Sequence, residues 1–190
     1  MKIRKFKRKN QKMKYNEANY IKKQYMVNGK AVIPVELKDV DDLFMKHDYK
    51  KLKLSDEVSK YIEEIAYMIP METDIVIEIH CEKVDKEKEE SMRKTIRNNY
   101  GMEIDDIKYD IYKANIKSFF FGIMGILLLI INILTEEYIG EVLSNFICVI
   151  WWVAIWDVVE LQVMEKSELK WKRLNYEQLY YSEITFEYDK

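Results

Sequence analysis

The residues whose type and spacing invite chemistry sit at the end of an apolar run. In "WWVAIWDVVELQVMEK", residues 151–166, Asp157 and Glu160 stand three positions apart. That spacing brings both carboxylates toward one side of a helix. Ionisable groups at the edge of a membrane span avoid lipid and turn to water, a partner or a pore. Two readings follow. The acids are solvated at headgroup depth, pairing with Lys113 or Lys117 of a neighbouring helix, or they line a pore or a subunit contact. Three more acids, Glu136, Glu137 and Glu141, cluster between two apolar runs in a stretch without Lys or Arg. Repeated around an axis, such acids form rings that attract cations and repel anions. Asn132, Ser144 and Asn145 lie inside the apolar runs. Polar side chains at that depth hydrogen-bond across helices, within one chain or to a neighbouring subunit.

Other chemistries find little support. The two histidines do not fall in a metal-ligand spacing such as H-E-x-x-H. Cys81 and Cys148 are lone thiols, one in an expected cytosolic strand and one in an expected span, so no disulfide is expected between them. The adjacent carboxylates Glu63 with Glu64 and Glu89 with Glu90 read as solvated helix faces. The chain has five Gly, none in a phosphate-binding loop, and no Ser–His–Asp pattern. The expectation is a protein without cofactor or metal, and not an enzyme.

The apolar runs are the elements that position the acids. Eighteen uncharged residues, "SFFFGIMGILLLIINILT", separate Lys117 from Glu136. At about 1.5 Å per residue they span about 27 Å, close to a bilayer core of about 30 Å. The second run, residues 142–156, has fifteen uncharged residues. It covers only about 22 Å, and reaches membrane length if the helix continues to Met164. Lys113 and Lys117 precede the first span, and Lys166, Lys170, Lys172 and Arg173 follow the second, whereas the connection carries no base. Basic flanks stay in the cytoplasm. The expected topology is therefore multi-pass, with both termini cytoplasmic. Trp151, Trp152 and Trp156 then anchor the inner interface. The first fourteen residues carry eight Lys or Arg and no acid. Lys2, Arg4, Lys5, Lys7, Arg8 and Lys9 suit an anionic lipid surface, with nucleic acid as the alternative.

Three segments alternate as strands with one apolar side. They carry Ile33, Val35 and Leu37; then Ile75, Ile77, Ile79 and Cys81, with Asp74, Glu78 and His80 opposite; then Ile184, Phe186 and Tyr188. Pro34 suits an edge strand. A helix with a Ser55 N-cap aligns Val58, Tyr61, Ile62, Ile65, Met68 and Ile69 and ends at Pro70. A second places Met92, Ile96 and Tyr100 on one stripe, with Gly101 as its expected C-cap. Ile104, Ile107, Ile111 and Ala114 suit a helical stalk ahead of the first span, although "IKYDIYK" also suits a strand. The fold class is α+β: a small cytosolic sheet with helices on one face, plus a two-helix transmembrane hairpin. The expected divisions are a basic arm (1–30), a cytosolic domain (31–102), the hairpin with its stalk (103–165, spans about 117–135 and 142–164), and a helix and strand that complete the sheet (166–190).

"WWVAIWDVVEL", with the charged helix and "LNYEQLYYSEITFE" behind it, resembles a widespread bacterial family of small two-span membrane proteins. There a GWVALW-x-x-x-E-like stretch closes the second span. "YIEEIAYMIP", "IVIEIHC" and "MRKTIRNNY" extend the similarity over roughly residues 55–188. Trp152, Trp156 and Glu160 are its distinctive positions, and Asp157 departs from it, since many relatives carry Arg there. Most of the family has no assigned activity. The resemblance extends to channel effectors of Hailong-type anti-phage defence. It implies an oligomeric channel, a partner nucleotidyltransferase and a nucleic-acid ligand. The expected function is an oligomeric membrane channel or effector controlled by its cytosolic domain. The alternative is a non-conducting, membrane-anchored adaptor or sensor.

Overall fold

The computed structural model describes residues 24–188, apart from the Glu136 side chain. Lys2, Arg4, Lys5, Lys7, Arg8 and Lys9 of the basic arm lie outside the described residues. The chain divides into two compact units. A sheet unit comprises residues up to Ile104 and from Leu174 onward, and a hairpin unit comprises Asp105–Arg173.

The sheet unit is α+β. Its four strands are β1 (Met26–Val27), β2 (Lys30–Glu36), β3 (Ile75–Cys81) and β4 (Glu183–Tyr188), in that spatial order. β1 pairs antiparallel with β2, while β2–β3 and β3–β4 are parallel. The expected joining of the late strand to the middle one is present. Ile77 and Ile79 of β3 face Ile184 and Phe186 of β4, and Ile33 and Val35 of β2 on the other side. The sheet therefore ties together chain segments from before and after the apolar helices. Pro34 is tolerated for a visible reason. The Ala31 and Leu37 amides donate to the carbonyls of Asp74, just before β3, and His80, within it. Alternation along the strand then turns position 34 to the outer edge, beyond the two residues that β1 covers, where a missing N–H costs no ladder bond.

Strands added in order by right-handed crossovers place every connecting helix on one side of a sheet. Here α1 (Asp56–Met68), the start of α2 (Lys86–Ile139) and the end of α4 (Lys166–Tyr180) bury the apolar side. Ile62, Ile65, Ala66 and Ile69, Met92, Ile96 and Tyr100, and Leu179 pack with Ile33, Ile77 and Ile79. Tyr61 and Met68, expected in the stripe, are about two-fifths exposed at its margin. Ser55 is the N-cap residue of α1, yet its side chain makes no cap bond. Its hydroxyl donates instead to the Asp42 carbonyl at 2.8 Å, tying α1 to the preceding loop.

Gly101 does not end a helix. α2 runs unbroken for 54 residues, because the stripe of Met92, Ile96 and Tyr100 continues into buried Ile104, Ile107 and Ala114. The segment "IKYDIYK" is therefore helix and not strand. The glycine serves packing instead, since a Cβ there would meet the Tyr180 ring at 3.4 Å.

In the hairpin unit, α2 and α3 (Glu141–Val159) are both long and apolar enough to cross a membrane. The stretch expected as an acidic loop is mostly helix: α2 reaches Ile139 and α3 begins at Glu141, leaving Gly140 alone between them. Gly140 has φ 77° and ψ 160°, a region open essentially to glycine. After Val159 the helix widens into a π-segment, Glu160–Glu165, and continues as α4. The Lys166 amide donates to the Leu161 carbonyl, the five-residue step that defines a π turn.

Candidate functional site

The hairpin is held by a seam of small residues. Ala114 and Ser118 of α2 are buried, and Gly122 and Gly125 continue the same stripe. Across from them a Cβ on Gly122 would lie 3.9 Å from Val158, and one on Gly125 would lie 2.9 Å from Ile155 and 3.6 Å from Ala154. The Ser144 hydroxyl hydrogen-bonds Asn132 Oδ1 at 3.0 Å. As positions climb on α2, their partners descend on α3, so the helices pack antiparallel. Small residues let the backbones approach closely enough for dispersion contacts to hold them.

This geometry sorts the residues expected to matter. Asn132 and Ser144 face each other inside the hairpin. Asn145 is exposed and has no hydrogen-bond partner among the described residues. At about 100° per residue, Asn145, Trp152, Trp156 and Glu160 fall on the side of the helix turned away from the seam residues Ser144, Ala154 and Leu161. Trp152 and Trp156 are indeed more than half exposed, and Glu160 is exposed. Trp151 lies nearer the seam and is half-buried. Asp157 stands at the flank, also half-buried. Neither acid pairs with the lysines of the neighbouring helix: Lys113 sits 3.6 Å from Asp110 and over the Tyr109 ring, and Lys117 lies over Phe121. Glu137 and Glu141 are exposed around the Gly140 turn.

The sequence did not flag the polar clasp beside the π-segment. Lys166 Nζ donates to Asn115 Oδ1 at 2.8 Å and to Gln162 Oε1 at 3.2 Å, and Gln162 reaches the same Asn115 oxygen. Wide π turns recur at functional positions in helices because they add a residue and re-aim side chains. Here the turn begins at Glu160 and ends beside Lys166. No hydropathy pattern announces it.

On the sheet unit, two of the four expected surface carboxylates, Glu63 and Glu89, bond tyrosines of other elements. Glu63 accepts from Ser59 at 2.8 Å and from the Tyr176 hydroxyl at 3.2 Å. Burial, with Glu63 nearby, pushes the phenols of Tyr100 and Tyr176 well above their usual range. Glu89 accepts from the Tyr188 hydroxyl, and that bond pushes the Tyr188 phenol up to about 12. Glu64 and Glu90 are exposed as expected. Arg93 and Arg97, within the helix matched by "MRKTIRNNY", donate to the carbonyls of Ile184 and Tyr180, so α2 clamps both ends of the α4–β4 connection.

The uncovered sheet side carries a second group of titratable residues. Lys30 and Glu183 pair at 2.7 Å near its start, which raises the lysine and lowers the carboxyl. Farther along, His80 Nε2 lies 2.8 Å from Glu78 and Nδ1 lies 3.7 Å from Glu187. These are the described side chains whose donor atoms converge closely enough to hold a metal ion, all within 4.8 Å of one another.

Compared with protein-family models, curated proteins and solved structures, the chain matches none of them.

Proposed function

We propose that this chain is a multi-pass membrane protein whose hairpins assemble side by side into a conducting oligomer, with the sheet unit as its cytoplasmic control module. The observation that carries the reading is the outward side of α3. Asn145, Trp152, Trp156 and Glu160 turn away from the hairpin's own seam, so an amide and a carboxylate have no partner among the described residues of one chain. Such groups at or near membrane depth are costly against lipid, and a second copy or a water-filled path relieves that cost. A single two-helix hairpin cannot enclose a path, so conduction requires several copies. The basic residues flanking the spans support the cytoplasmic placement of both ends. The resemblance set out above adds defence, a nucleotidyltransferase and a nucleic-acid ligand to this proposal.

A non-conducting anchor is the competing reading. It is favoured by the Ser144–Asn132 bond, which uses up two of the polar groups inside the hairpin. Sizing the purified protein by light scattering in detergent and recording it in a planar bilayer separate the two. The proposal expects one defined oligomer and a cation-preferring conductance, with Asp157→Asn plus Glu160→Gln moving the reversal potential in asymmetric KCl toward zero. A monomer without conductance establishes the anchor instead.

A further inference from the structure

We propose that Glu78, His80 and Glu187 form a binding site for a divalent transition-metal ion, zinc foremost, which joins β3 to β4. The argument starts from register. Glu36, His80 and Glu187 occupy one row across β2, β3 and β4, and Glu78 precedes His80 by two residues on the same side of β3. Two carboxylates thus flank one imidazole, with Glu36 next in the row, on the sheet side that α1, α2 and α4 leave uncovered. Among the described residues, no Lys or Arg pairs with Glu36, Glu78 or Glu187.

The imidazole in its neutral form does not satisfy this arrangement. A neutral ring has one N–H and one lone pair. Here both nitrogens face carboxylate oxygens, at 2.8 Å and 3.7 Å. One of them therefore presents a lone pair to a negative charge. A divalent ion between the groups removes that conflict by converting three repelling donors into ligands. One nitrogen and two carboxylate oxygens are a donor set that zinc accepts, with a water in the fourth position.

Tetrahedral zinc with ligands at about 2.0–2.1 Å holds them about 3.3 Å apart, against a widest separation of 4.8 Å here. Glu187 is 63% exposed at its side chain and has room to swing inward, while His80 and Glu78, near 30% exposed, are held by the sheet. Two ligands come from the strand before the apolar helices and one from the strand after them. A bound ion would therefore fasten the terminal strand to the sheet.

The test uses the full chain without an affinity tag, in detergent micelles after chelation. The chain has only two histidines, so long-range proton–nitrogen spectra of 15N-histidine protein report which ring takes the ion. Added zinc chloride is expected to bind at one ion per chain, to lock His80 into one tautomer, and to leave His47 unmoved. Glu78→Gln and Glu187→Gln should each weaken binding at least tenfold. The zinc-induced rise in the melting temperature of the native chain should vanish in both variants. Shifts confined to His47, affinity untouched by both substitutions, or a His80 ring with neither nitrogen signal moved by zinc would each overturn the site. The histidine spectra and stoichiometry are read on the native chain, so they decide the site even where a variant fails to fold.

Discussion

Gly125 sets how closely the two apolar helices approach, and the cost of filling it can be worked from the contacts. A Cβ at that position would stand 2.9 Å from Ile155 Cδ1, 3.2 Å from Ile155 Cγ1 and 3.6 Å from Ala154 Cβ. For Gly125→Ala the closest atom is a terminal methyl, which can swing aside. Driving Ile155 off its rotamer costs about 0.5–1.5 kcal/mol. Replacing a mid-helix glycine by alanine returns about 1 kcal/mol, so Gly125→Ala should leave the hairpin near its native stability. Gly125→Leu adds atoms that also meet Ala154, which has nowhere to move, and overpacking of this kind costs about 1–3 kcal/mol. Gly122 supplies the control, because a Cβ there meets Val158 at 3.9 Å, an ordinary contact. The assay is unfolding in rising sodium dodecyl sulfate followed by tryptophan fluorescence. It reads this unit selectively, since Trp151, Trp152, Trp156 and Trp171 are all four of the chain's tryptophans and all lie within Asp105–Arg173. The midpoint should fall for Gly125→Leu and hold for Gly125→Ala and Gly122→Ala. A Gly125→Leu protein as stable as the native one would refute the close-packed seam.

Three other outcomes follow from the same structure. Gly140→Ala forces a side chain into the backbone region at φ 77° and ψ 160°, and should cost about 1–3 kcal/mol in the same assay although nothing crowds the position. Truncation after Leu179 removes β4 with buried Ile184, exposes the edge of β3 and strips Arg93 and Arg97 of their carbonyl acceptors. The sheet unit should then lose its cooperative melting transition, and an unchanged melting curve would count against the β3–β4 pairing. The Tyr188 phenol, held up to about 12 by its bond to Glu89, contributes stability that is complete below pH 10, the ordinary phenol value, and is lost as pH rises through about 12. Glu89→Gln should bring the Tyr188 phenol down toward the ordinary value, which the pH dependence of its 13Cζ resonance, assigned by Tyr188→Phe, measures among the fourteen tyrosines.

Much of this protein was legible as local pattern. Period-two alternation marked Ile33, Val35, Ile75, Ile77, Ile79 and Ile184 as one sheet side, and all are buried. Uncharged length alone marked two helices fit to cross a membrane. Both signals are one-dimensional, because side-chain period and hydropathy are written residue by residue. The sequence also named Asn132 and Ser144 without deciding between a partner in the same hairpin and one in another chain. That choice depends on which helix side the seam takes, and the seam is set by Gly122, Gly125, Ala154 and their opposite contacts. Gly101 was misread as a helix end because a glycine's capping and packing uses look alike until its neighbour, here Tyr180, is known.

What only the tertiary structure decided were relations between residues far apart in the chain. Glu187 follows His80 by more than a hundred residues, and no spacing rule connects them. Parallel pairing of β3 with β4 puts them side by side. The same holds for Glu63 with Tyr176 and for Lys166 with Asn115. The amino-acid sequence by itself determined the three main strands and the two apolar helices, since period and hydropathy follow from the chemistry of neighbouring positions, while helix ends and the state of "IKYDIYK" waited on packing. Which carboxylate meets which imidazole, phenol or amide was determined by strand register and helix packing, where backbone geometry, and not proximity along the chain, brings the groups together.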